Sequence, residues 1–384
     1  MKNGNKVILL ILCLVASSLC YGSSTDKSKV FDIGLFFKFG ERYDRTVGNF
    51  EDGIKLARKM FVKRHPNIKV NLHNTNHDNE FSSVIAGANK IIKSKVPVVI
   101  GGEDSHHAML MAKSFEEKNI ILMSPTATNP EVTKDKPFVF RACLSDANVA
   151  KSISNFIGKN LKLKKVGIIH GISMPYTDYL SKGIVKNLKD KYPNLKIIHE
   201  KFVRGKYGFE STIKKFKEND IDHVIAVTYE RDILAFISQA KIMKFSPTYI
   251  GADGWGPAKN FQSRVVEKSN REFKAYQTAY WHDDASHLIA KQFKIQFKKE
   301  YKTEPNPWHA VGFDAAWLVL HAMNNTKNPR DGKQIQAALK KIKNIQLVTS
   351  KKFSFDADRS AIKSLPIFKL SQSKIEHYIN VGSL

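Results

Sequence analysis

Cysteine is nearly absent from this chain: three residues in 384, at Cys13, Cys20 and Cys143. The first two fall in or just after an apolar run near the amino terminus, so a processed chain keeps little more than Cys143. A lone cysteine forms no internal disulfide. A small disulfide-stapled fold is therefore excluded, and stability has to come from cores large enough to stand alone. Long apolar runs are missing as well. Beyond residues 7–16 no stretch approaches the roughly 20 apolar residues that a bilayer-spanning helix needs. That first run is itself short. It follows Lys2 and Lys6 and precedes Ser17, Ser18, Gly22 and Ser23, the pattern of a secretory signal. Residues 1–22 are expected to be removed and the mature chain to work in the periplasm or cell envelope. Cys20 permits a second reading, a leader ending in a lipidated cysteine, although Leu19 stands where such leaders carry a small residue.

Acidic charge is the third shortage: 36 Asp plus Glu face 62 Lys plus Arg, a formal net charge of +26. Such a balance invites a nucleic-acid reading. The excess is mostly lysine spread along successive helices, which describes a solvated surface better than a binding block, so no nucleic-acid partner is expected. Catalytic signatures are missing too. There is no G-x-S-x-G elbow, Walker A loop or H-E-x-x-H helix. Ser105 precedes His106 and His107, but adjacency in sequence is not a triad. Asp104, His106 and His107, and the cluster His282-Asp283-Asp284, lack a coherent ligand spacing and read as solvated loop polarity. The expectation is a protein that is not an enzyme, with no catalytic residue, no metal and no cofactor.

What the chain does have is alternation. Apolar strand patterns at 30–37, 68–72, 96–100 and 120–123 alternate with amphipathic helix patterns at 49–62, 81–92 and 105–117. After a connecting strand at 138–143 the alternation restarts, with strands at 166–170, 197–203, 224–229 and 248–251. The chain turns helical after a strand at 275–281 and β-rich from 353. Regular β-α-β alternation implies parallel sheets flanked by helices, and two such runs imply two lobes. In sheets of this kind ligands bind just past the carboxyl ends of strands. The segment Ile121-Leu122-Met123-Ser124-Pro125-Thr126-Ala127-Thr128-Asn129-Pro130 is a strand running into a turn rich in hydroxyls, and is the first candidate. Ser105 is the second, where a strand gives way to a helix whose free amides suit a carboxylate; a plain helix cap would also explain it.

Several motifs in order carry a resemblance: Val98-Val99-Ile100-Gly101-Gly102-Glu103-Asp104-Ser105, the stretch 121–133, Phe138-Val139-Phe140-Arg141, Tyr249-Ile250-Gly251-Ala252-Asp253-Gly254, and Val311-Gly312-Phe313-Asp314-Ala315-Ala316. Together they resemble the substrate-binding proteins of ABC transporters for branched-chain amino acids, the Leu/Ile/Val-binding family. The resemblance covers nearly all of the mature chain. It implies an α/β, two-lobed type I periplasmic binding fold with a three-crossover hinge. Lobe 1 would comprise 29–143 plus 278–348, and lobe 2 would comprise 144–277 plus 349–384. It also implies capture of an amino acid or related molecule between the lobes by a monomer, and delivery to an ABC transporter membrane permease. A ligand-sensing module feeding a receptor is the alternative on the same fold, and a Ser-dependent hydrolase is the rival from another class.

The resemblance also assigns roles. Ser105 matches a carboxylate-binding serine. The Thr126 carbonyl and Thr128 hydroxyl match contacts to the ligand backbone. Asp253 matches the ionic partner of the ammonium, where the family often has Glu. Tyr176 and Tyr229 match aromatics that close over the ligand, and Trp255 either walls the pocket or packs the lobe. The loop 37–43 departs from the family's small-residue turn and leaves the ligand side chain undetermined. Lys38 and Arg42 in that loop are read as solvated.

Overall fold

The computed structural model describes residues 28–38, 44–78, 80–268, 273–282 and 285–382, with the side chains of 44–49 and of Lys268 excepted. The signal segment, Cys20, Arg42, Asp283 and Asp284 lie outside the described residues. Among the described residues no helix is long and apolar enough to cross a membrane.

Strand β1 (Lys29–Lys38) is buried without interruption over its last six residues. A continuous buried run is what a strand covered by helices on both faces requires. It lies between β2 (Ile68–His77) and β3 (Val98–Gly101). Next come β4 (Ile121–Ser124) and β5 (Val139–Arg141), giving a fully parallel sheet in the order β2-β1-β3-β4-β5. The following strands are β6 (Lys165–Ile172), β7 (Lys196–Val203), β8 (His223–Val227), β9 (Thr248–Gly251) and β10 (Lys274–Thr278). They repeat that order as β7-β6-β8-β9-β10, again parallel. Three short strands, β11 (Ile345–Leu347), β12 (Ser350–Phe355) and β13 (Ala361–Ile362), form an antiparallel patch. Finally β14 (Leu365–Ser371) and β15 (Ile375–Val381) extend the second sheet antiparallel beyond β10. The second sheet is thus parallel with an antiparallel edge, an addition to the all-parallel expectation.

The chain passes between the two cores three times. Cys143 packs in the first core and Leu144 in the second lobe; Ala275 packs in the second and Tyr280 in the first; Ala361 packs in the first and Leu365 in the second. Phe353 and Ala361 belong to the first core. The last crossing therefore comes after 361, later than the boundary of 348/349 read from sequence. The boundary moves because the strand pattern from 353 onward starts in the small patch, which covers the first core, before the chain joins the second sheet.

The first core is centred on the helix Pro307–Asn324, buried on almost every side, against the helix Asp44–Arg64. Two glycines permit that approach. A Cβ on Gly53 would sit 2.0 Å from the His309 carbonyl oxygen, and one on Gly312 would sit 2.4 Å from that of Phe50. Both distances are impossible for any other residue, so the sequence sets the helix separation here.

In each sheet the strand order reverses direction once, between β1 and β3 and between β6 and β8. Such switch points open a crevice at the carboxyl ends of the strands. The candidate residues fall there. Ser105 follows β3, and Thr126 and Thr128 follow β4. In the second sheet Tyr176 follows β6, Tyr229 follows β8 and Asp253 follows β9.

Candidate functional site

The turn after β4 is built around one buried cation. Arg141, the last residue of β5, has no solvent exposure. Its guanidinium donates to the carbonyls of Ala127 (3.2 Å), Thr128 (2.6 Å), Asn129 (2.8 Å) and Pro130 (3.3 Å), and to Thr133 Oγ1 (2.6 Å). A buried charge is tolerated only when its donors are used in this way. Ser124 Oγ donates to the Gly102 carbonyl (2.7 Å) and accepts from the Ala127 amide (3.0 Å), and Thr126 Oγ1 donates to the Glu103 carbonyl (2.8 Å). The turn is thereby locked to the β3 loop. Ser105 is the first residue of the helix Ser105–Glu116, with Asp104 at the capping position. Its hydroxyl accepts from the Asn129 amide at 3.2 Å, so it joins the two loops instead of capping its own helix.

The other side converges on Asp253. Its Oδ2 accepts from the Tyr280 hydroxyl at 2.6 Å and its Oδ1 from the Tyr176 hydroxyl at 3.3 Å. The Gly254 amide donates to the Tyr176 oxygen at 3.2 Å. Burial raises the Asp253 pKa, and the two tyrosine hydrogen bonds pull it back. The rings of Tyr176 and Tyr229 lie 5.4 Å apart, and the Arg204 guanidinium covers the Tyr229 ring at 4.5 Å. The Tyr280 hydroxyl also lies within reach of the Thr126 carbonyl at 3.2 Å. One hydroxyl on the second crossing therefore joins the threonine turn to Asp253. A narrow crevice lies beside this point, lined by Thr128, Leu144, Val149, Asp253, Tyr280 and Lys363, with about 10 Å³ of free volume. That is room for about one water, so a larger solute enters only when the lobes part.

All six candidates thus sit at the mouths of the two sheets, and Thr126, Asp253 and Tyr176 are joined through Tyr280 and Asp253 itself. Three participants were not foreseen. Tyr280 lies in a segment read as a strand, and only folding brings it to both partners. Arg141 was visible as part of a crossover motif but not as the clamp of the turn. Asp146, fully buried at the start of the helix Asp146–Asn155, has its pKa pushed well up by burial and then by the neighbouring Asp253 charge. Its only signal was the Ser145-Asp146 pair, which reads as an ordinary helix start. Cys143 is inert toward nucleophilic chemistry, since burial pushes its thiol up to about 12.

Two expectations are corrected and one open choice is decided. Lys38 is not solvated: it is 6% exposed, at the buried end of β1. His107 is not loop polarity. It lies in the first turn of the helix Ser105–Glu116 with no exposure, its Nδ1 3.2 Å from Asp104 Oδ2. For Lys38 and His107, packing buries a residue type that the local sequence placed in a loop. The third outcome is a choice between two open readings: Trp255 packs the second core, fully buried, donating from its indole nitrogen to the Ala226 carbonyl at 3.1 Å.

Two lobes with matching strand order, crossed three times, and polar groups facing each other at the switch points define a clamp for a small solute. The chain belongs to the periplasmic binding protein family, whose model matches residues 32–374. The leucine-specific-binding protein of Salmonella typhimurium is 25% identical over 175 residues, 45% of this chain and 47% of that protein; this match spans about half the length of the relative. A leucine binding protein from Thermotoga maritima has the same fold, with a TM-score of 0.82 at 22% identity over 92% of this chain and 99% of that one. The branched-chain amino acid transporter substrate binding protein of Streptococcus pneumoniae, solved in complex with isoleucine, gives 0.80 at 24% identity over 92% and 100%. The type I periplasmic binding fold expected from the motifs is the fold observed.

Proposed function

We propose that this chain is an extracytoplasmic solute-binding protein that captures an amino acid or amino-acid-like molecule between two lobes and delivers it to an ABC transporter permease. Lobe 1 comprises roughly 29–143 plus 278–361, and lobe 2 roughly 144–277 plus 365–382. The observation that carries the reading is the position of the Tyr280 hydroxyl, whose single proton lies within reach of both the Asp253 carboxylate (2.6 Å) and the Thr126 carbonyl (3.2 Å). An ammonium arriving between the lobes meets both acceptors already aligned. The solute carboxylate is assigned to the Ser105 hydroxyl and the amides of the β3 and β4 loops, and Tyr176 and Tyr229 close over the solute from lobe 2. Closure needs no chemistry, only tighter binding to the closed state than to the open one. The leader at 1–22 supports export.

Unfolding and refolding strips retained solute. Thermal melting is then followed against the amino acids, their amides and aromatic acids. Saturation at about 100 times Kd adds roughly 2.7 kcal/mol of stability. If an amide or aromatic acid shifts the melt and no amino acid does, the assignment of Asp253 to an ammonium fails. Saturable hydrolytic turnover lost in Ser105→Ala would replace the whole reading with an enzyme.

A further inference from the structure

One corner of lobe 1 is left unused by this clamp. His77 ends β2, Glu103 follows β3, and His107 lies in the helix after it. Each offers one metal-ligating atom, and these atoms all lie within 4.8 Å of one another. His77 is 2% exposed, and neither of its ring nitrogens has a hydrogen-bond partner. Glu103 Oε1 accepts from the Lys38 amide at 2.9 Å, whereas its Oε2 is buried without a partner. Buried polar atoms are almost always paired, and leaving one unpaired is costly. A fold that buries an unpartnered imidazole against an unpartnered carboxylate oxygen has arranged acceptors for something absent from the chain itself. His77 packs edge-on to Phe36 at 5.1 Å and to His107 at 4.7 Å, so the surrounding wall holds the ring in place.

We propose that His77, Glu103 and His107 bind a divalent transition-metal ion of the zinc type, with the Asp104 carboxylate, 3.2 Å from His107 Nδ1, orienting that imidazole. Two imidazoles and a carboxylate are the donor set that suits zinc, and a carboxylate behind a ligating histidine is its usual support. Ligands at ~2.0–2.1 Å from one ion stand about 3.4 Å apart. The corner therefore needs to close by at most about 1.4 Å across any pair, within reach of side-chain rotation. Three protein ligands leave a fourth position for water. Because every ligand comes from lobe 1, the site does not depend on closure or on which solute is carried.

The mature chain, with any histidine tag removed and dialysed against chelator, is titrated with zinc chloride by calorimetry and with cobalt chloride by visible absorption. The expected result is one ion per chain, with the intense visible bands of four-coordinate cobalt. His77→Ala and His107→Ala should each weaken binding by at least ~100-fold, while His106→Ala and His170→Ala leave it unchanged. His77→Gln and Glu103→Gln, closer in shape, repeat the test if an alanine variant does not fold, and metal-free melting curves establish folding for each. No binding, or binding untouched by the His77 and Glu103 changes, overturns the proposal. So does equal loss on changing His106 or His170, which would mark adventitious surface binding. Solute binding measured in chelator separately tests the transport reading.

Discussion

The two parts of the lobe 1 cleft wall are built on opposite principles. The turn 124–130 is tied down: Arg141 takes the carbonyls of residues 127–130, Ser124 and Ser105 accept from the Ala127 and Asn129 amides, and Thr126 ties the turn to the neighbouring loop. A few residues away, His77 and Glu103 carry buried atoms with no hydrogen-bond partner. The tied-down turn is a rigid presenter of a few remaining groups, suited to features that all amino acids share. The unsaturated corner costs stability in the isolated chain and recovers it only when something binds. The difference separates what holds the site's shape from what the site is for.

The strongest way to break this comparison is Arg141→Met. It leaves four carbonyls and the Thr133 hydroxyl without their buried donor, so stability should fall by about 3–5 kcal/mol in urea unfolding. A loss below 1 kcal/mol would mean that the turn does not depend on its cation. Asp253→Asn comes next. It keeps the shape and removes the charge, so solute affinity measured by calorimetry should drop about 30- to 1000-fold, or 2–4 kcal/mol. Unfolding stability should hold or rise, because burial already opposes the carboxylate.

A pH series probes histidines outside the corner. Burial lowers His170 and His309 to about 4, with the nearby His199 adding to the effect on His170. The Nδ1 of His309 accepts from the Asn306 amide at 2.8 Å, which requires the neutral ring. The unfolded chain, with histidine near ~6.5, binds more protons between these values, so stability is full above about 6.5 and falls as pH drops toward 4. Between pH 7 and 5 each of the two should cost about 2 kcal/mol. A flat profile over that range would show that the rings are hydrated.

His77→Leu carries the smallest effect and sharpens the comparison most. In chelator it should stabilise the chain by about 1 kcal/mol, since an unpartnered imidazole gives way to apolar packing. Destabilisation instead would mean the corner is satisfied in solution.

How much of this was legible beforehand varies by residue. That Ser105, Thr126, Thr128 and Asp253 would stand just past strand ends was readable, because strand ends and turn chemistry are local. Tyr280 was not, since its role rests on a hydrogen bond to a residue 154 positions away. His107 and Lys38 were misjudged as solvated because a charged or polar side chain near a loop is usually exposed, while the residues that bury them come from other strands and helices.

The sequence by itself determined the alternation of strands and helices, the two-lobed α/β class, and the strand ends where the candidate residues stand. These follow from periodicity and turn propensity within a few residues. Tertiary structure alone decided which polar groups are paired and which are buried and unpaired. It brought Tyr280 to both Thr126 and Asp253, set Asp146 beside Asp253, and gathered His77, Glu103 and His107 at the ends of adjacent elements. Burial and pairing depend on what the rest of the chain packs around a residue, and no local pattern records that.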